Sequence, residues 1–354
     1  MQPTGKKELF SVQIGLHFSD RPPTRFALLA NLRQLDIDIA PGDDDYRTTM
    51  RYTLPVAAEA TAVLPHAHYL GRTLEGYAEL PDGTKRPLIR IPQWDFNWQG
   101  EYRYKEALHL PAGTTLVMDY RFDNSDQNIA NPHDPPQRVR YGPKTVDEMS
   151  ELAIQLVTDS RRDYALLKND FDRWRVTEEL IPYLRRVLSD RERDQTELDL
   201  AQLGLAKALF GIGQRAEARQ LLASLTQSSD ANAESFALLG RMAVDEGDLA
   251  KGWRFFRQAL QVEPGQVDAL NGMGLVAMRE RRYALAVPAF QRILKDYPAD
   301  VTVLVNLSIC QAQLGKLDLA LQTAKKAVEI DATNARAHTL VAELEGFVRR
   351  RSER

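Results

Sequence analysis

The strongest constraint in this sequence is a spacing of 34 residues that recurs through its C-terminal half. Gly240, Gly274 and Ser308 stand 34 apart, as do Gly252, Ala286 and Ala320, then Ala259, Ile293 and Ala327, and finally Pro264, Pro298 and Ala332. Several columns holding one period mean that each unit is a supersecondary element that cannot bury its apolar face alone and stacks on its neighbours. Small side chains at these positions let paired helices approach closely, and the proline ends the second helix of a unit. Extending the frame upstream lands on Ala206 and Ala218, a more degenerate first unit. The expected units are 199–232, 233–266, 267–300 and 301–334, closed by a helix from Ala335.

This pattern resembles a tetratricopeptide (TPR) array. The resemblance implies a concave surface that takes a protein or peptide partner; the competing reading is that the helices package the rest of the chain. Arg241 is the one basic candidate on the first helices, and no carboxylate-clamp pattern of Lys and Arg stands out.

The first 158 residues read as β. Period-two alternation marks Leu9–Leu16, Leu35–Ile39 and Leu152–Leu156, placing every second side chain on one face. Pro41-Gly42-Asp43, Pro81-Asp82-Gly83, Pro111-Ala112-Gly113 and a polar stretch from Asn124 to Gly142 punctuate the runs. Short strands at this spacing predict an antiparallel β-sandwich, followed by an α-helical solenoid. Between them, Tyr164, Leu167, Phe171 and Trp174 recur at helical steps, and a second helix over Leu180–Leu188 begins or bends near Pro182. Residues 159–198 are therefore expected to be a helical linker.

Charge narrows the partners. Residues 1–158 hold 17 Lys+Arg and 21 Asp+Glu, a net of −4, and the remainder holds 29 and 28, a net of +1. Neither half has the basic surplus that phosphate-backbone binding requires, so nucleic acid is not an expected partner. The single cysteine, Cys310, lies among Leu307, Ile309 and Leu314 and reads as an inert core thiol that excludes Cys-based zinc or a CxxC pair. No apolar run reaches 18 residues, so no transmembrane segment is expected, and Met1–Lys7 lacks the apolar core of an export signal.

The residues that could carry chemistry lie in the β half. His66-Ala67-His68 puts two imidazoles at i and i+2, on one face of a strand, where both can reach one metal ion. In chain order there follow Leu80-Pro81-Asp82-Gly83, Trp94-Asp95-Phe96-Asn97-Trp98-Gln99, Leu110-Pro111-Ala112-Gly113-Thr114, Phe122-Asp123-Asn124-Ser125 and Tyr141 to Met149, ending Asp147-Glu148-Met149. In this order the segments resemble the C-terminal catalytic domain of the copper type II, ascorbate-dependent monooxygenases, the peptidylglycine and dopamine hydroxylase family, closest to its bacterial branch. The resemblance covers about 1–158 and implies a jelly-roll-like sandwich. It implies one copper per chain on His66, His68 and Met149, with ascorbate or another reductant as co-substrate. Two imidazoles suit either copper oxidation state, and a thioether favours Cu(I).

Other candidates are weaker. His109 lies on an expected strand, His133 in the polar loop and His17 in an apolar alternating run. Trp94, Phe96 and Trp98 read as one packed face. Asp147 and Glu148 read either as groups that orient a ligand or as solvated loop acids.

Departures from the family shape the expected function. An arginine two residues before the HxH pair and a tyrosine four after the methionine hold the substrate carboxylate in the peptidylglycine branch; here those positions are Leu64 and Ala153. The family's first copper domain is expected to be missing from this chain, with residues 1–30 the remnant of that upstream sandwich, Leu9–Leu16 presenting an unpaired edge and 1–30 the worst-packed part of the β half. The copper sandwich proper is expected over 31–158, and the repeats with a capping helix over 199–350. A separate first copper domain is then a further expected partner, and a longer N-terminus would place the protein in the periplasm or outside the cytoplasm. The expectation leans to an oxygen-activating half of a monooxygenase joined to a protein-interaction module; the alternative is a non-catalytic TPR adaptor with a copper-binding or vestigial sandwich.

Overall fold

The computed structural model describes residues 11, 13–16, 18, 20–227 and 232–352. It divides into two compact units, Met1–Arg175 and Val176–Arg354.

The first unit contains, among the described residues, ten strands: β1 (Phe26–Arg33), β2 (Asp38–Ile39), β3 (Tyr46–Thr53), β4 (Ala58–Ala67), β5 (Gly71–Glu79), β6 (Lys85–Ile91), β7 (Tyr102–Leu110), β8 (Thr115–Phe122), β9 (Val139–Arg140) and β10 (Ser150–Thr158). They form two four-stranded antiparallel sheets, β1-β10-β4-β7 and β3-β8-β5-β6, and a small β2-β9 pair. Alternation decides which face turns inward. In β3, Thr48, Met50 and Tyr52 are buried while Arg47, Thr49 and Arg51 are exposed. Leu32, Val63, Leu152 and Ile154 from the first sheet share one core with Tyr52, Leu74, Met118 and Tyr120 from the second. The sheets come close at Gly76, where a Cβ would lie 2.6 Å from Leu152 Cδ2. Thr48 and Ser150 also join hydroxyls across the core at 2.8 Å.

The turns carry the chemistry their sequence indicates. Gly42, Gly83 and Gly113 all take positive φ, a conformation that costs glycine little and other residues more. Leu35, Ile37 and Ile39 are buried in alternation, yet only Asp38 and Ile39 pair as strand, against β9.

Two expectations for the N-terminal segment change. Of the run Leu9–Phe18, the described residues Ser11, Gln13–Leu16 and Phe18 form no strand; Ile14, Leu16 and Phe18 are 82%, 71% and 88% exposed. Val12 and His17 lie outside the described residues, as do residues 1–10. In contrast Phe26–Arg33, whose first five residues were placed above in the upstream remnant, pairs along its whole length with β10, and Ala30 and Leu32 are fully buried. These residues belong to the first unit because their alternation matches a β10 face already committed to the core.

The stretch 159–198 is likewise divided. Helix α1 (Arg161–Trp174), N-capped by the Ser160 side chain, buries Leu167 and Phe171 in the β core. The Tyr52 hydroxyl donates to Asp170 Oδ1 at 3.0 Å, and its ring meets Phe171 edge-on at 4.9 Å. A π-type turn over Arg175–Leu180 leads to α2 (Ile181–Ser189), which has Pro182 in its first turn. In the second unit α2 packs Ile181, Leu184 and Val187 against α3 (Gln195–Gly211).

The second unit continues with α4 (Arg215–Leu225), α5 (Ala233–Asp245), α6 (Leu249–Val262), α7 (Val267–Arg279), α8 (Tyr283–Asp296), α9 (Val301–Gln313), α10 (Leu317–Ile330) and α11 (Ala335–Ser352). The periodic columns explain the pairing. A Cβ on Gly240 would lie 2.5 Å from the Phe256 ring, and one on Gly274 2.6 Å from the Phe290 ring. At the next repeat Ser308 Oγ instead donates to the Ala320 carbonyl at 2.7 Å. The turns within repeats share a left-handed residue at the same period: Gly213, Gly247, Arg281 and Gly315. Cys310 is buried, and burial pushes its thiol pKa up to about 11. Among the described residues no helix is long and apolar enough to cross a membrane.

Candidate functional site

Strand β4 ends at Ala67, whose side chain joins the core; His66 precedes it within the strand, and His68, which is buried, follows it. The β10–β4 ladder matches Ser150 to Ala67 and Glu151 to His66. Met149 immediately precedes the first of these paired residues on β10, and His68 follows the last on β4. The ladder thus brings the segment carrying His66 and His68 beside the segment that begins β10, some eighty residues later in the chain.

Both rings are held in one tautomer. Gln99 Nε2 donates to the Phe96 carbonyl at 2.8 Å, which fixes that amide so that Oε1 faces His66 Nδ1 at 2.5 Å. His68 Nδ1 lies 3.0 Å from the Asp147 carbonyl. An amide oxygen and a carbonyl only accept, so each Nδ1 carries the proton and each Nε2 keeps its lone pair. Anchoring one ring nitrogen through a carbonyl while the other serves as donor is the arrangement seen around metal-bound histidines. The rings lie 5.1 Å apart at 83°. Burial lowers the His68 pKa below its usual value, against the opposing pull of the Asp147 carbonyl, and so favours the neutral form.

His109 and His133 do not join them. His109 pairs with Glu59 in the β4–β7 ladder, seven residues from His66, or about 23 Å along the strand. In the 124–142 loop the His133 amide donates to Asn131 Oδ1. Among the described residues no group of three His, Cys, Asp or Glu side chains converges to hold a metal.

The aromatic run departs from expectation. Trp94 is buried in the core and its Nε1 donates to the His68 carbonyl at 3.0 Å. Phe96 lies edge-on to the His68 ring, centroids 5.7 Å apart, and also packs on Tyr69. Trp98 is 78% exposed. The three do not form one face, because Asp95 Oδ1 accepts the Asn97 amide and the Asp95 carbonyl accepts that of Trp98, a local turn that replaces the strand.

Asp147 and Glu148 separate clearly. The Asp147 side chain accepts the Lys144 amide at 3.1 Å, and its close approach to Gly142 leaves no room for a Cβ there. Glu148 is completely buried. Its carboxylate accepts the amides of Met149 at 2.8 Å, Leu70 at 2.9 Å and His68. Burial pushes its pKa up to about 8, although the three N–H donors pull it down. Neither this carboxylate nor Gln99 is a candidate that spacing alone singles out; adjacency to Met149 is the one clue to Glu148, and Gln99 has none.

In the second unit a groove on the first helices of successive repeats is lined by Lys207 of α3, Arg241 and Asp245 of α5 and Asp268, Asn271 and Leu275 of α7. Arg241 lies over the Phe210 ring at 4.6 Å, and Lys207 pairs with Glu234.

Residues 271–335 match the tetratricopeptide repeat family. A stretch of 99 residues, 28% of this chain, is 25% identical to the CTR9 homolog of Arabidopsis thaliana and covers 9% of that protein's length. Among solved structures, MamA 41-end from Desulfovibrio magneticus RS-1 is similar at 20% identity, with 43% of this chain and 85% of that chain covered and a TM-score of 0.39. MamA AMB-1 is similar at 20% identity over 45% and 87%, also at 0.39. Within the helical half, residues 271–335 therefore carry tetratricopeptide repeat sequence.

Proposed function

We propose that this chain is a TPR-based adaptor whose β unit binds one copper ion on His66, His68 and Met149. The observation that carries the copper reading is the pair of Nδ1–H tautomers, which leaves an Nε2 lone pair on each of two neighbouring imidazoles beside the strand that Met149 leads into. Copper held there would supply a one-electron couple, with the thioether favouring Cu(I). The same reading takes the two sheets as a jelly-roll-like sandwich.

The adaptor reading rests on the repeat match and on the groove lined by Arg241, Asp268 and Asn271. Its mixed charge suits a peptide segment with both signs rather than a uniformly acidic tail. A photo-crosslinking residue at Leu275, which is exposed in the groove, is expected to trap a partner that the same residue at exposed Val262 of α6 does not. Equal trapping at both positions would contradict the groove as the docking surface.

A second reading, favoured by the order of the motifs from Leu64 to Met149, adds catalysis: hydroxylation of a C–H bond, with ascorbate or another reductant and an electron-supplying copper domain on a separate chain. In it the His66 and His68 rings and Met149 hold the metal, and the Phe96 ring limits water around His68. Reductant-dependent oxygen uptake that rises on adding substrate would support catalysis; uptake that never couples to product leaves copper binding alone.

A further inference from the structure

The buried Glu148 carboxylate is a costly feature with a definite geometry. His68 and Leu70 follow the last residue of β4, and Met149 precedes the first of β10, so their amides sit where the ladder runs out. A buried amide without an acceptor is destabilising, and a carboxylate is tolerated in such a place only when its oxygens are fully hydrogen-bonded. Each oxygen has a partner here: Oε1 takes His68 and Met149, Oε2 takes Leu70. Next to it, the Asp147 carbonyl takes the His68 ring. Backbone and ring of His68 are thus tied to the dipeptide that leads directly into Met149.

We infer that Glu148 is a positioning residue, a buried latch whose carboxylate binds the segment carrying His68 to the segment carrying Met149 and so sets the spacing of the imidazole and thioether donors. This rests on the copper reading for its consequence, but the latch itself is a property of the metal-free chain. Glutamine at 148 would turn an NH2 group toward an amide donor, and aspartate would withdraw the carboxylate by one methylene.

The test uses the full chain and two readouts. In the metal-free protein, hydrogen–deuterium exchange over peptides spanning 66–71 and 147–151 is expected to be at least tenfold faster in Glu148→Gln than in wild type, with the repeats unchanged; Glu148→Asp is expected to move the same way by less and serves alone if the glutamine variant does not fold. With Cu(I) added, wild type is expected to show nitrogen and sulfur scattering in X-ray absorption, and the variants to keep the nitrogen and lose the sulfur. Unchanged exchange in both variants overturns the latch. Faster exchange with sulfur scattering intact overturns the positioning role and leaves only a structural tie. Faster exchange together with no sulfur in wild type overturns the copper reading, and with it the positioning role.

Discussion

Leu64 and Ala153 sit directly opposite each other in the β4–β10 ladder, two residues before His66 and four after Met149. In the peptidylglycine branch that the motifs resemble, these two positions hold the substrate carboxylate; here they are neighbours in the ladder and both apolar. A peptide ending in glycine is expected to show no saturable binding to the copper-loaded chain by calorimetry; micromolar affinity would contradict this.

The left-handed turn residue of the third repeat is Arg281, at φ 58°, where the other three repeats have glycine. A non-glycine residue pays about 1–2 kcal/mol there, and glycine costs about 0.5–1 kcal/mol through its freer unfolded chain. Arg281→Gly is expected to stabilise the array by about 0.5–1 kcal/mol in denaturant unfolding, and a loss of stability would refute the argument.

Gly274 faces the Phe290 ring with no space for a methyl group. Alanine gains about 0.5–1 kcal/mol in helix propensity, but overpacking of this kind costs about 1–3 kcal/mol. Gly274→Ala is expected to be destabilising by about 1 kcal/mol or more, read as a lowered denaturation midpoint.

His68 titrates below the usual histidine value because burial disfavours its charged form. A depressed folded pKa contributes stability above the unfolded value, about 6.5, that is lost as pH falls through the folded one. NMR of the metal-free protein is expected to place the His68 midpoint below 6.5, and stability is expected to fall on acidification from pH 6.5 more steeply in wild type than in His68→Phe.

How much of this was legible depended on what each signal measures. The repeat was readable because helix pairing demands small residues at contacts such as Gly240 with Phe256, and a period carries that demand through the sequence. His66 and His68 were readable because a strand puts i and i+2 on one face. Trp94, Phe96 and Trp98 misled, since their two-residue spacing is interrupted by Asp95 and Asn97, whose side chains favour a turn. Glu148 was half legible: the sequence left it as either a ligand-orienting group or a solvated loop acid, and only the fold reveals that two ladder ends leave three amides for it to accept. The exposed alternation at Ile14, Leu16 and Phe18 shows the limit of periodicity, which reports a strand's pattern and not whether a sheet receives it.

Copper binding by the β unit is tested most directly by Cu(I) titration of the full chain with X-ray absorption at the end point. One copper per chain is expected, with two nitrogen donors and one sulfur that disappears in Met149→Leu; no stoichiometric binding, or sulfur scattering that survives that substitution, would contradict the account.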